Sequence, residues 1–500
     1  MAQRLNSVQE FYKDKTIFIT GGSGFMGKVL IEKLLYSCSD LKQIIILMRV
    51  KRGKNEMARV KEFEALPLFK RIMDEKPEVM KKILVVSGEI CEKNLGMSDA
   101  HFQYVIDNTN IIFHVAASVR FQAPLKSNIM TNLVATKEVL EIAKTVKNLT
   151  VMVHVSTAFC NVEFSKVNEI VYEAAGEPLE LIKLAKEMDE NAMANIEKKL
   201  LGLHPNTYTY TKRLAENLVR NEFENSNLPI CILRPSIVGP TLSEPFAGWV
   251  DSLSAVNGIS LASKKGILRC MLADLSVNYN FIPVDQAING FIMAAKVFGT
   301  TKKISSEIPV YNVTTHEHAV VEYQKFFDVF NSLKFLYPLS VTFWWPNVTF
   351  TQNKYYYWFN VILFQWIPAY FIDMMLLLFG RKRIMVRVQK KIASALDAIK
   401  FFAMKNWDFN TDNFHNLTKI QSDEEYHMFN LDTKTINAEE YFENSIVGGR
   451  IYQDEDPLTT VPKATILIKF LYGLDLAVKS FFSYFMIRKL LMIIGLSSFT

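Results

Sequence analysis

Tyr208 and Lys212 stand four residues apart in Tyr208-Thr-Tyr-Thr-Lys212, after the Pro205-Asn206 pair and ahead of the helical pattern RLAENLVRNEF. Residues i and i+4 share one helix face, so a phenol and an ammonium here can address the same reacting atom. A free phenol titrates near pKa ~10, and an adjacent ammonium stabilises the phenolate and brings the group towards the working range. Tyr210 competes for the role but has no lysine four residues on. A third polar group comes from His154-Val-Ser156-Thr157-Ala158, at the end of an apolar run. Thr157, with Ser156 as the alternative, would hydrogen-bond a substrate oxygen as negative charge develops on it.

Such a set needs a hydride source, and the chain's beginning supplies a place for one. The run KTIFIT leads directly into Gly21-Gly22-Ser23-Gly24-Phe25-Met26-Gly27 and the helical LIEKLL. Glycines where a strand turns into a helix let the backbone approach a pyrophosphate, which the helix N-terminus favours. Gly21, Ser23, Gly24, Phe25, Met26 and Gly27 are therefore the expected dinucleotide contacts. An NAD site normally carries an acidic residue about 20 residues on, but here Leu47-Met48-Arg49 stands in that place, followed by Lys51, Arg52 and Lys54. Arg49 and Arg52 offer donors to a 2′-phosphate, with no carboxylate expected nearby, so the expected cofactor is NADPH. Glu89 and Ile90 after the third strand would lie at the adenine, and Ala116 at the diphosphate and ribose. Pro235 and Ile237, in Arg234-Pro-Ser-Ile-Val-Gly-Pro240, would lie near the nicotinamide. Lys212 could also hold the nicotinamide ribose.

These groups must be positioned by a sheet. Six apolar β-branched runs, at 15–20, 44–49, 83–88, 111–116, 151–156 and 230–235, alternate with helical patterns. That alternation predicts a Rossmann-type doubly wound parallel sheet of the α/β class, buried on both faces. Residues 1–300 are expected to form the dinucleotide and catalytic domain, with the charged helical stretch 172–203 as an inserted lid or solvated excursion. Residues 301–354 form a linker in this reading. A smaller, mainly helical, membrane-associated domain follows over 355–460, beginning with the apolar segment 355–379, and an apolar tail closes it at 461–500. Spanning a bilayer takes about 20 apolar residues, so 355–379 is long enough. Pro368 and Asp373 interrupt it, and Arg381, Lys382, Arg383 and Arg387 would sit on the same side as the amino-terminal domain. A span that overrides the charge bias and a hairpin bent at Pro368 both remain open.

With 500 residues, two or three folded units are expected. Hydrophobic residues at 49% and a mean hydropathy of +0.09 exclude a disordered chain. A net charge of +6, evenly spread, gives no nucleic-acid footprint. Cys38, Cys91, Cys160, Cys231 and Cys270 stand far apart, as in a reducing compartment. No apolar run precedes the first strand, so the catalytic domain is expected to face the cytosol. His316-Glu-His318 has no third ligand nearby, so no metal is expected, and Cys160 has no recognisable base to make it a nucleophile.

Together T-G-G-S-G-F-M-G, Arg49, the S-T-A after the fifth strand, Y-T-Y-T-K and R-P-S-I-V-G-P resemble extended short-chain dehydrogenase/reductases. More narrowly, K-R-G after the second strand, H-P-N-T-Y-T-Y-T-K and the apolar carboxy-terminal region resemble alcohol-forming fatty acyl-CoA reductases. Glu89 departs from the aspartate more usual there. The resemblance implies reduction of a long-chain acyl-CoA by NADPH to a primary alcohol and free CoA, with membrane lipid as a partner. It also implies a place on the cytosolic face of the endoplasmic reticulum or peroxisome. The competing readings are a steroid or sugar-nucleotide dehydrogenase/epimerase on the same scaffold and a catalytically idle lipid-binding membrane protein.

Overall fold

The computed structural model describes residues 7–49, 56–226, 228–252, 255–301 and 307–493. Seven strands form the central sheet: β1 (Thr16–Thr20), β2 (Gln43–Met48), β3 (Ile83–Ser87), β4 (Ile111–His114), β5 (Val151–Val155), β6 (Ile230–Pro235) and β7 (Val310–Val313). Their order is β7-β6-β5-β4-β1-β2-β3 with every pair parallel. β1, β5 and β6 are buried at every position, because helices cover both faces of a parallel sheet and leave no polar side to alternate.

Helix α1 (Phe25–Ser37) follows β1, and helices α2 (Ala135–Thr145) and α3 (Thr207–Ser226) follow β4 and precede β6. On one face Phe18, Ile45, Ile112 and Met152 of the sheet pack with Val139 and Leu140 of α2 and Leu214 and Leu218 of α3. Helix α4 (Val284–Thr300) packs on α1, β5 and β6. Strand order reverses between β1 and β4, and the crevice at the carboxyl ends of strands beside such a reversal is where ligands collect in this architecture.

The chain divides into two compact units that interleave in sequence, where the residues alone suggest consecutive domains. One comprises Met1–Val250, Asn278–Val321 and Asn406–Tyr441; the other Asp251–Val277, Glu322–Lys405 and Phe442–Thr500. The sheet therefore draws its seventh strand from the region read as a linker, because IPVYNVTT pairs with β6 through Val310↔Ile232 and Val313↔Pro235. In the same unit Asp408–Phe409 pairs with Lys166–Val167, and Glu425, in the capping box of Asp423–Met428, holds Lys296 of α4 at 2.5 Å.

The second unit contains a parallel pair, Cys270–Leu272 with Thr349–Thr351, and three long helices. These are α5 (Lys354–Leu378), α6 (Met385–Ala403) and α7 (Val461–Ile493). Ala262, Leu268 and Met271 pack with Ile392 and Leu396 of α6. Pro368 does not fold α5 into a hairpin: a π-turn over Ile362–Trp366 precedes it, and the proline enters at the first turn of Ile367–Leu378, where its missing N–H is tolerated. Among the described residues α5 is the one helix long and apolar enough to cross a membrane by length and composition.

Candidate active site

The turn after β1 is shaped for close backbone approach. Gly21 has φ +79°, and a Cβ there would lie 2.6 Å from the Ala116 amide nitrogen; Gly27 is pressed as tightly, since its Cβ would lie 2.3 Å from the Gly21 carbonyl oxygen. Gly24 is the N-cap of α1 and supplies no side-chain cap, leaving the first N–H groups of that helix free for an anion. Ser23 and Gly24 are exposed, and Met26 lies partly buried in the first turn of α1. The Phe25 ring stacks on buried Trp249 with centroids 5.5 Å apart. This cradle, which side chains would fill, fits a dinucleotide diphosphate.

Arg49 follows β2 and is exposed, but the surroundings differ from the expectation in one respect. A carboxylate does stand beside it: Arg49 Nε lies 3.1 Å from Glu89 Oε2 and 3.2 Å from Oε1. Register explains the contact, because Met48 pairs with Ser87, which brings the residues beyond each strand end together. Ile90 follows Glu89 in the same loop, and Arg52 lies outside the described residues. Ala116 sits just past β4, its amide donating to Thr20 Oγ1 at 3.4 Å. Pro235 ends β6, and Ile237 begins a short strand, Ile237–Gly239, paired with Phe281–Pro283.

Thr157, Tyr208 and Lys212 converge at the end of β5. Thr157 Oγ1 accepts from Phe159 N–H at 3.3 Å, which leaves its own proton free to face Tyr208, whose phenolate it would stabilise. Burial pushes the Tyr208 phenol well above its ordinary value, the Thr157 hydroxyl pulls it back in part, and Cys160 adds to the rise. The Phe121 ring meets the tyrosine edge-on at 5.3 Å. Lys212 is 3% exposed and donates to the Val155 carbonyl at 2.7 Å. Burial lowers its pKa to about 8 against the opposing pull of Glu216. The phenol is thus held protonated by its surroundings, where the spacing alone suggests a lysine-stabilised phenolate. Tyr210 points elsewhere, donating to the Ala175 carbonyl at 3.1 Å. Ser156 is buried and its hydroxyl makes no hydrogen bond to the described protein.

Two groups behind these residues escape a motif reading. Arg234 and Glu216, both 0% exposed, form a two-pronged ion pair, Nε to Oε1 at 2.8 Å and Nη2 to Oε2 at 2.6 Å. The guanidinium also donates to the Asn168 and Ile170 carbonyls, and the Cys160 thiol to Glu216 at 3.4 Å. Glu216 lies four residues beyond Lys212, so helical spacing was the available signal. Beside them His114 and His154, paired in register, have ring centroids 5.3 Å apart. Thr136 Oγ1 donates to the Asn132 carbonyl at 2.6 Å and so accepts from His114 Nε2 at 3.1 Å, while His114 Nδ1 accepts from Thr20 Oγ1 at 2.8 Å. That fixes a neutral His114, consistent with burial lowering it to about 3.

The male sterility protein family matches over most of this chain: its NAD-binding part covers residues 19–291 and its Sterile part residues 364–455. Fatty acyl-CoA reductase 1 of Rattus norvegicus is 35% identical over 464 residues, 92% of this chain and 88% of that protein. The Homo sapiens protein of the same name is 35% identical over 463 residues, with the same coverage. In structure the chain is similar to the terminal reductase domain of a myxalamid biosynthetic pathway, with TM-score 0.59 and 16% identity over 88% of this chain and 91% of that one. It is also similar to the reductase domain of a non-ribosomal peptide synthetase from Mycobacterium tuberculosis, with TM-score 0.58 and 14% identity over 90% and 96%. These two likenesses confirm the doubly wound fold. On the sequence relationship, the chain belongs to the fatty acyl-CoA reductase family and is an oxidoreductase of the nicotinamide-dependent kind.

Proposed function

We propose that the protein reduces long-chain acyl-CoA to the primary alcohol with two equivalents of NADPH, releasing CoA. The observation that carries this reading is the convergence of Thr157 and Tyr208 just past the end of β5, with Lys212 buried one helical turn after Tyr208 and donating to the Val155 carbonyl. NADPH, when bound, supplies the hydride at each of the two reductions. Gly21, Ser23, Gly24, Phe25, Met26, Gly27 and Ala116 would hold its diphosphate side. Arg49, with Arg52, would hold the 2′-phosphate, and Glu89 and Ile90 would border the adenine. Pro235 and Ile237 would border the nicotinamide.

The chain's own groups then act on the substrate oxygen. Thr157 donates a hydrogen bond to the oxygen of the thioester carbonyl as it gains charge; collapse of that tetrahedral species restores the carbonyl and expels CoA thiolate. In the second reduction the phenol of Tyr208 gives its proton to the aldehyde oxygen, forming the alcohol. The Lys212 ammonium compensates the phenolate that remains. Association with the cytosolic face of the endoplasmic reticulum or peroxisome suits a substrate whose acyl chain prefers a bilayer, and α5 with the apolar tail provides the means.

Purified full-length protein given palmitoyl-CoA and NADPH should release free thiol and form hexadecanol. Tyr208→Phe should slow alcohol formation by about 10²–10⁴-fold while NADPH still binds. Absence of alcohol from the wild type, or an unchanged rate in Tyr208→Phe, would overturn the assignment.

A further inference from the structure

Beyond exposed Lys354 at its start, helix α5 carries three polar side chains other than tyrosine, Asn360, Gln365 and Asp373, and each of these is turned away from solvent. Val361, Gln365, Ala369 and Asp373, at four-residue steps, form a buried stripe along one face, and Asn360 adjoins it. Gln365 Oε1 accepts from the backbone N–H of Arg269 and of Cys270, at 2.8 and 3.1 Å. Asp373 accepts from the N–H groups of Ile384, Met385 and Val386, at 2.9, 2.8 and 3.0 Å, and so caps the start of α6. Asn360 donates to the Tyr356 carbonyl. The remaining circumference is exposed and apolar: Trp358 and Phe359 near its start, Ile362, Ile367 and Phe371 through the middle, and Leu378 at its end.

A helix fastened along its length in this way cannot cross a bilayer alone. It would take with it the pair Cys270–Leu272 and Thr349–Thr351, whose strand edges would leave backbone groups unpaired in hydrocarbon. It would also take α6, whose exposed face carries Arg387, Lys390, Lys391, Asp397 and Lys400. An apolar face bounded by tyrosine and tryptophan at one end and by exposed Arg381, Lys382 and Arg383 at the other matches a single leaflet with anionic headgroups.

We infer that α5 is a one-leaflet membrane wedge: its apolar faces enter the lipid while Gln365 and Asp373 bind it to its own unit, and both of its ends stay on the same side of the bilayer. This deepens the membrane reading above, resolves the conflict between a span and the placement of the basic cluster, and is independent of the catalytic assignment.

The test uses full-length protein in sealed microsomes. With Cys91, the one cysteine that is not buried, replaced by serine as background, Lys354→Cys and Lys382→Cys are each treated with a membrane-impermeant maleimide before and after permeabilisation. The two positions should label alike. Opposite protection would mean a crossing and would overturn the wedge, while sedimentation with membranes, which tests the broader membrane reading, could still hold. In parallel, Ile367→Cys carrying an environment-sensitive fluorophore should show severalfold brighter, blue-shifted emission on adding phosphatidylcholine vesicles containing phosphatidylserine, and lipid-borne quenchers should dim it. No response to vesicles, with or without a dimer forming through this face, would also overturn the inference.

Discussion

Replacing Lys212 by methionine should stabilise the free protein while removing its activity. At pH 7 folding carries a charged amine into a place where its pKa is about 8 rather than 10.5, which costs about 3 kcal/mol at ~1.4 kcal/mol per unit. Methionine keeps the length and flexibility of the stem without the charge. It forfeits the hydrogen bond to the Val155 carbonyl, worth about 1 kcal/mol, so the net gain at pH 7 is about 2 kcal/mol. The sign with pH follows from linkage. The folded pKa lies below the unfolded one, so the unfolded chain binds more protons between pH 8 and 10.5, and wild-type stability from this group recovers as pH rises through that window. By pH 10 the burial penalty falls to about 1 kcal/mol, equal to the lost hydrogen bond, and the gap between variant and wild type closes. The assay is thermal unfolding of cofactor-free full-length protein, variant against wild type at pH 7 and pH 10, so that groups titrating alike in both cancel. A variant less stable than wild type at pH 7, or a gap indifferent to pH, would refute the argument that this amine is held charged against burial.

Two further outcomes test the contacts around the site. Glu89 competes with a 2′-phosphate for Arg49, and an exposed pair of this kind is worth under about 1 kcal/mol. Glu89→Gln should therefore lower the KM for NADPH by a few-fold and leave NADH unaffected, whereas Arg49→Ala should raise the KM for NADPH far more than that for NADH. Steady-state kinetics with both cofactors decides, and equal shifts for the two would remove the phosphate assignment. Glu216→Gln strands the Arg234 charge at 0% exposure, so it should destabilise the protein by about 3–5 kcal/mol. Replacing both residues by leucine should recover much of that loss in the same unfolding assay, and equal losses in the single and double variants would place the effect outside the pair.

The strands of the first 235 residues, the glycine turn and the Tyr208–Lys212 pair were legible because each rests on local pattern: apolar runs long enough for buried strands, glycine between strand and helix, and two residues on one helical face. What the residues alone do not show depends on partners far away in the chain. Strand β7 is four residues long and acquires its meaning only by pairing with β6. The Arg49–Glu89 contact crosses from one strand end to the next, 40 residues on. Segment 406–441 returns to the sheet-bearing unit through pairings such as Asp408 with Lys166, which no composition change announces.

The behaviour of α5 shows the same division between pattern and partner. Averaged along the sequence, Gln365 and Asp373 count as interruptions that weaken a membrane helix; resolved by face, they fall four and twelve residues after Val361 on the buried stripe. A hydropathy average cannot distinguish polar residues scattered around a helix from polar residues gathered on one side, yet the two have opposite consequences. Scattered, they would each meet hydrocarbon without a partner; gathered and bonded to the N–H groups of Arg269, Cys270 and the start of α6, they leave an exposed surface that beyond Lys354 is apolar apart from tyrosine hydroxyls. The polar residues that argue against a crossing are therefore the ones that make attachment to one leaflet physically consistent.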